Sequence, residues 1–387
     1  MAENKEKKVL NVPNLRFPEF EGEWEEHYLS DYLDFKNGLN PKPERFGKGI
    51  RFISVMDILN NAVITNDCIR ASVDVSEEEL LSFCVENGDI LFQRSSETLE
   101  DVGRANVYMD NKPAVFGGFV IRGKKKAEYD PLFFRYLLAS PFARKKIIPM
   151  GAGAQHFNIG QEGLNKVKLH FALLDEQKKI ARLLSLLDER IAIQNKIIED
   201  LKKLKSAISD RLFKNIKGDV ITLSEICDIV KGKQINGEYL TESGEYYVMN
   251  GGTEPSGYYG DYNVDANTIS ISEGGNSCGY VQFNTSPFWS GGHCYSIQNI
   301  ADHVDNLYLY HYLKSNEEVI MRLRIGSGLP NIQKKDLTMF KIKVPTFEQQ
   351  ITISTFLSSL ERKADIEERI LNVILKQKLY LLQQMFI

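Results

Sequence analysis

The 387-residue chain is 43% hydrophobic and 26% charged, a balance that fits two or three folded domains and excludes a disordered chain. Its net charge of −4, from 48 basic and 52 acidic residues, excludes a uniformly cationic nucleic-acid binder, although a basic face can coexist with acidic surfaces elsewhere. Five well-separated cysteines without a C-x-x-C pair exclude a zinc knuckle and a disulfide framework.

Residues 1–14 read as an N-terminal tail. The opening MAENKEKKVLN alternates Lys and Glu without an apolar core, so no secretory signal is expected. Apolar runs fall far short of the roughly 20 residues that span a membrane. A cytoplasmic protein with reduced cysteines is the expectation.

The first globular segment, 15–174, is predicted to be mixed α/β. Strand-like runs such as IRFISV (50–55) and DILF (89–92) lie between Gly- and Asn-rich turns, and an aromatic amphipathic helix follows near 131–146. Its loops are basic. PKPERFGKGIRF (41–52) carries Lys42, Arg45, Lys48 and Arg51, QRSSE (93–97) carries Arg94 and Ser95, and Arg104 follows Gly103. Lysine and arginine contact phosphates, and arginine can also bridge guanine O6 and N7. These seven residues are therefore candidate DNA contacts.

A long helix is predicted over 175–217. Apolar residues at 180, 184, 187, 191, 198, 201, 208 and 212 step by four and three, with Gln194 and Lys205 filling the two gaps. That is a heptad seam.

The second globular segment, 218–345, has loops of another chemistry: MNGGTEPSGYYG (249–260), SEGGNSCGY (272–280) and GGHCY (291–295). Asparagine can read adenine N6 and N7, and Asn250, Ser272, Asn276 and His293 are the candidate contacts here. A second long helix, 346–387, repeats the seam at 353, 357, 360, 364, 371, 374, 381 and 385. Glu367 and Lys378 fill the equivalent gaps.

The chain thus repeats itself. Shifted by 173 residues, Asn158-Ile159 falls on Asn331-Ile332, Leu164 on Leu337, and Asp175-Glu176-Gln177 on Glu348-Gln349-Gln350. With other offsets Leu29-Ser30-Asp31 pairs with Leu223-Ser224-Glu225, Gly38 with Gly232, and Gly117-Gly118 with Gly291-Gly292. PLFFRYLLAS (131–140) pairs with NLYLYHYLKS (306–315). Two copies of one unit, globular part then helix, follow each other.

Catalytic signatures are missing. No G-K-[ST] phosphate loop and no H-E-x-x-H occur, and Asn40-Pro41 is followed by Lys rather than by the Pro-aromatic pair of an adenine methyltransferase. The short glycine loops Met150–Ala154 and Gly326-Ser327-Gly328 lack the strand–turn–helix setting of a dinucleotide site. No catalytic residue and no metal ligand is expected.

VPNLRFPEFEGEW (12–24), GDILFQR (88–94), GGFVIRGK (117–124), the NGG and GNSCGYV elements, and the lead-ins LDEQ (174–177) and PTFEQQ (345–350) resemble the DNA-specificity subunit of type I restriction–modification systems. The resemblance covers essentially the whole chain. It implies an α+β protein with two α/β target-recognition domains in pseudo-twofold arrangement, each followed by a long helix. The two helices would pair as an antiparallel coiled coil that spaces two DNA half-sites. In the simplest register Ile191 faces Ile374, Gln194 faces Leu371, Ile198 faces Glu367, Lys205 faces Leu360 and Leu187 faces Lys378. Implied partners are double-stranded DNA, two modification subunits that methylate adenine N6, and two restriction subunits acting as translocase and nuclease. S-adenosylmethionine and ATP would sit on those partners and no cofactor on this chain. The competing readings are a coiled-coil structural adaptor that does not touch DNA and a stand-alone nuclease or methyltransferase. The adaptor predicts no basic cleft, and the enzyme requires an acid or cofactor cluster.

Overall fold

The computed structural model describes residues 11–326 and 330–387. Most of the expected tail, and Ser327 and Gly328 of the second glycine loop, lie outside the described residues. Four helices organise the chain: α1 (Pro131–Ala139), α2 (Leu174–Asn215), α3 (Asn306–Ser315) and α4 (Phe347–Gln384). Two compact units form, one from the chain up to Gln194 with Ile370–Ile387, the other from Asn195–Arg369. Among the described residues no helix is long and apolar enough to cross a membrane.

The first unit contains β1 (Leu33–Asn37), β2 (Phe46–Ile53), β3 (Ile90–Gln93), β4 (Ala105–Val107), β5 (Ala114–Phe116) and β6 (Val120–Lys125). A four-stranded antiparallel sheet has the order β1-β6-β3-β4. β3 is buried at all four positions, which accounts for its unbroken apolar run. In a second sheet β2 runs parallel to β5 and antiparallel to Ser72–Val73. Glu25–Tyr28 pairs with Lys168–Phe171 as a third, two-stranded sheet. The core is aromatic: Tyr129 stacks on Phe134 at 3.9 Å, and Trp24 sits edge-on to Phe133 and to Phe386. Leu184 and Leu187 of α2 and Ile374 of α4 join the same core.

The second unit repeats this plan with β7 (Asp228–Lys231), β8 (Tyr246–Met249), β9 (Thr268–Ser272), β10 (Val281–Asn284), β11 (Trp289–Ser290) and β12 (Cys294–Gln298). The four-stranded sheet is β7-β12-β9-β10. β8 runs parallel to β11 and antiparallel to Tyr258–Tyr259, and Asp219–Thr222 pairs with Lys341–Val344. Phe213 of α2 packs edge-on against Tyr308 and Tyr312 of α3.

The repeat extends to single hydrogen bonds. Asp130 and Asp305 cap α1 and α3 by accepting from the N–H groups of Phe133 (2.8 Å) and Tyr308 (2.7 Å). Gln177, at the start of α2, accepts from Asp130 N (3.0 Å) and donates to Ala172 O (2.8 Å). Gln350, at the start of α4, accepts from Asp305 N (2.8 Å) and donates to Pro345 O (3.0 Å). The glutamine of each lead-in therefore ties a long helix to the globular part it follows. The opening motif is likewise structural: Arg16 grips the fully buried Glu176 with two hydrogen bonds of 2.8 Å.

Within each unit the two long helices pair antiparallel. In the first, Asp188 pairs with Lys378. In the second, Lys205 pairs with Glu361 at 2.7 Å and Lys202 with Glu368 at 2.6 Å. The lysines in the seam gaps thus reach the acids next to Leu187 and Leu360. Ile191 and Ile374 share one core. Gln194 is buried in the seam and Glu367 is partly buried.

Candidate nucleic-acid interface

One constellation is built twice. In the first unit Arg94 N donates to Phe119 O (2.9 Å), Arg94 O accepts from Ile159 N (2.9 Å), and Gly117 N donates to Ile53 O (3.0 Å). In the second unit Glu273 N donates to His293 O (2.9 Å), Glu273 O accepts from Ile332 N (2.8 Å), and Gly291 N donates to Met249 O (2.8 Å). Gly38 lies against the Gly117 carbonyl and Gly232 against that of Gly291, so closely that a Cβ at either would collide. Each unit therefore brings the ends of several strands to one point, and different side chains stand there.

In the first unit this point adjoins an open, largely apolar pocket of about 450 Å³. Its wall includes Asn40, Phe46, Met56, Ser95, Gly118 and Phe119. Phe119 is 68% exposed. Arg94 donates from Nη1 to the Gly118 carbonyl (3.2 Å), and the Ser95 hydroxyl hydrogen-bonds Asn158. A guanidinium beside exposed aromatic and thioether surface can meet both a base edge and a thymine methyl.

The second unit gathers its side chains on one buried carboxylate, Glu273. Oε1 pairs with Lys231 Nζ (2.6 Å) and accepts from the Tyr295 hydroxyl (3.0 Å), while Oε2 lies 3.7 Å from His293 Nδ1. His293 N donates to Asn250 Oδ1 (3.1 Å), and the Ser272 hydroxyl donates to Gly251 O (2.6 Å). Burial, with the Glu273 carboxylate beside it, pushes the Tyr295 phenol up, so it stays a donor. The result is an exposed imidazole and an exposed ammonium held at a loop end of asparagine and serine.

Among the nominated residues, Arg94, Ser95, Asn250, Ser272 and His293 fall on these two constellations. Asn276 is exposed on the turn just beyond Glu273. Lys42 is exposed at the start of the turn Pro43–Arg45, and Arg51 lies partly exposed within β2. Three basic residues have acidic partners of their own. Arg45 forms a two-pronged pair with Glu79, Lys48 meets Asp74 at 3.1 Å, and Arg104 meets Asp101 at 2.6 Å. The Arg45 guanidinium, helped by the Ser76 N–H, draws the Glu79 carboxyl down to about 2. Arg104 lines a different cavity. Sequence reasoning missed Lys231 and Glu273. A lysine at a strand end and a lone acid in a neutral loop carry no local signal, but the repeat does: Glu273 stands where Arg94 does. Among the described residues no His, Cys, Asp and Glu cluster could hold a metal.

A family model described as the type I restriction modification DNA specificity domain matches residues 21–203 and again 215–376, once per copy of the repeat. A putative type I restriction enzyme MjaX specificity subunit from Methanocaldococcus jannaschii is 24% identical, across 94% of this chain and 92% of that one. The EcoKI specificity subunit of Escherichia coli K12 is 23% identical across 59% of this chain and 50% of its own. Among solved structures, the S subunit of a type I restriction–modification system from M. genitalium shares the fold, with a TM-score of 0.67 at 20% identity, covering 97% of this chain and 99% of that one.

Proposed function

The chain belongs to the type I restriction–modification DNA specificity family, and we propose that it reads a bipartite, asymmetric DNA site, one half with each unit. It is a specificity subunit and not an enzyme, matching relatives that bear that name. The observation that carries the reading is the doubled constellation: equivalent strand ends present a guanidinium beside apolar surface in one unit, and an imidazole, an ammonium and asparagine in the other. Two scaffolds of one plan with different side chains read two different half-sequences. α2 and α4 set the distance between the halves.

Modification subunits dock on the helices and supply S-adenosylmethionine and adenine N6 chemistry, and restriction subunits bring ATP-driven translocation and cleavage. Exposed apolar side chains on the helices support docking: Leu186, Ile193 and Val373 in the first unit, Ile197, Leu204 and Ile366 in the second. Helix faces this apolar mark protein contacts. The setting for such a complex is the cytoplasm.

Electrophoretic shifts of duplex DNA with this chain plus its modification subunits test the reading. Binding that requires this chain and weakens steeply with salt is expected, as phosphate contacts release counterions. Equal binding by the modification subunits alone would refute it.

A further inference from the structure

Away from the strand ends, the first unit holds a cavity of about 370 Å³ lined by Arg104, Arg135, Arg144 and Lys378. Two carboxylates serve these four cations. Asp101 pairs with Arg104 at 2.6 Å, while Asp188 is shared by Arg135 (3.1 Å) and Lys378 and also accepts from the Tyr136 hydroxyl (2.7 Å). Glu100 is on the wall as well, but it is the Glu100 backbone carbonyl that accepts from Arg144. The Arg144 Nη2 donates to the carbonyls of Glu100 (2.9 Å) and Val102 (2.6 Å), and its Nη1 is buried with no hydrogen-bond partner among the described residues. Burial, with repulsion from Arg104 only partly offset by Asp101, pushes this guanidinium down to about 10, so it is charged at neutral pH. A largely buried cation whose hydrogen bonds, among the described residues, all go to neutral carbonyls is costly unless an anion completes it.

The repeat supplies an internal comparison. A groove of about 460 Å³ in the second unit is also lined by four cations, Lys202, Lys205, Lys314 and Arg322. Lys205 is the repeat equivalent of Lys378. Here each cation has its own acid: Glu368 at 2.6 Å, Glu361 at 2.7 Å, Glu317 at 2.6 Å and Glu318 at 3.7 Å. The corresponding place is thus neutralised in one unit and left short of carboxylates in the other.

We propose that the cavity of the first unit binds a phosphate group, with Arg144 as the inner anchor and Arg104 as the exposed flank. A guanidinium fork with one unused nitrogen suits a compact oxyanion, and charge-assisted hydrogen bonds to it are strong. Free phosphate and a DNA phosphodiester share that chemistry. The proposal does not depend on the half-site assignment.

Isothermal titration of the full chain with inorganic phosphate, at constant ionic strength against chloride, tests it. Saturable binding by the wild type is expected, weakened about tenfold or more by Arg144→Met and measurably by Arg104→Gln. Arg322→Gln, in the neutralised groove, should leave it unchanged. Absence of saturable binding by the wild type overturns the proposal, whether or not the Arg144 variant folds. Binding undiminished in both first-unit variants, or lost equally in Arg322→Gln, also overturns it. Displacement of the bound phosphate by short duplex DNA would assign the site to the DNA backbone, and indifference to DNA would assign it to free phosphate.

Discussion

At the scale of the residue, Arg94 and Glu273 show what separates two units of one plan. Both are fixed by the same pair of backbone hydrogen bonds, yet the Arg94 guanidinium donates to the Gly118 carbonyl while the Glu273 carboxylate collects Lys231 and His293. Arg94 was legible in the sequence because a basic residue in a turn is a local signal. Glu273 was not, because its role arises only when β7, β9 and β12 bring Lys231 and His293 to it. Arg94→Ala is expected to cost the first half-site about 1–3 kcal/mol of recognition, read as lowered methylation with relaxed preference at one position. Unchanged methylation would remove Arg94 from the interface. A second residue predicts a pH dependence. His311 is buried with its Nε2 2.8 Å from the Ser358 hydroxyl, and burial, with Lys205 nearby, pushes it down to about 4. The unfolded chain then binds a proton between about pH 6.5 and 4 that the folded one refuses, so stability is full above 6.5 and falls as the pH drops through that window. The loss reaches a few kcal/mol at most. Thermal unfolding from pH 7 to 4.5 should show a steeper decline for the wild type than for His311→Asn; parallel declines would contradict this.

At the scale of the element, the heptad seam was legible at once because steps of four and three sustained over about forty residues rarely arise by chance. Its polar gaps were legible too, but not what fills them. Asp188 and Glu361 lie beside the seam, and each is bonded both to a lysine of the opposite helix and to a tyrosine of the globular part, Tyr136 or Tyr310. These layers hold the helix register and the globular part together, a role invisible to a pattern that scores only apolar spacing. Asp188→Ala leaves Lys378 and Arg135 partly buried without a carboxylate. It should cost about 2–3 kcal/mol, below the ~3–5 of a fully buried pair, as measured by denaturant unfolding; a change under a few tenths would show the layer is ornamental. Inserting four residues after Lys205 lengthens the helix by at most ~6 Å, while each base pair advances DNA by ~3.4 Å. The methylated site should keep both half-sequences while its spacer grows by one or two base pairs. An unchanged spacer would mean that these helices do not set the distance.

At the scale of the whole molecule, the sequence repeat anticipated two copies of a mixed α/β part with an aromatic helix, each followed by a long helix; the structure adds that the two share three sheets and the same aspartate cap. Such agreement is expected because those features rest on apolar periodicity, caps and tight glycines, all local. The partners of the loop cations were not legible, since Arg45 with Glu79 and Arg104 with Asp101 depend on how turns fold back. On the proposed function, each unit reads its own half-site. This is tested most directly by methylome sequencing of a host that carries this chain with its modification subunits, comparing the wild type with a chimera whose residues 219–332 come from another member of the family. The expected result is a bipartite methylated sequence in which the chimera changes one half and keeps the other with the same spacer. Simultaneous change of both halves, or of neither, would contradict it.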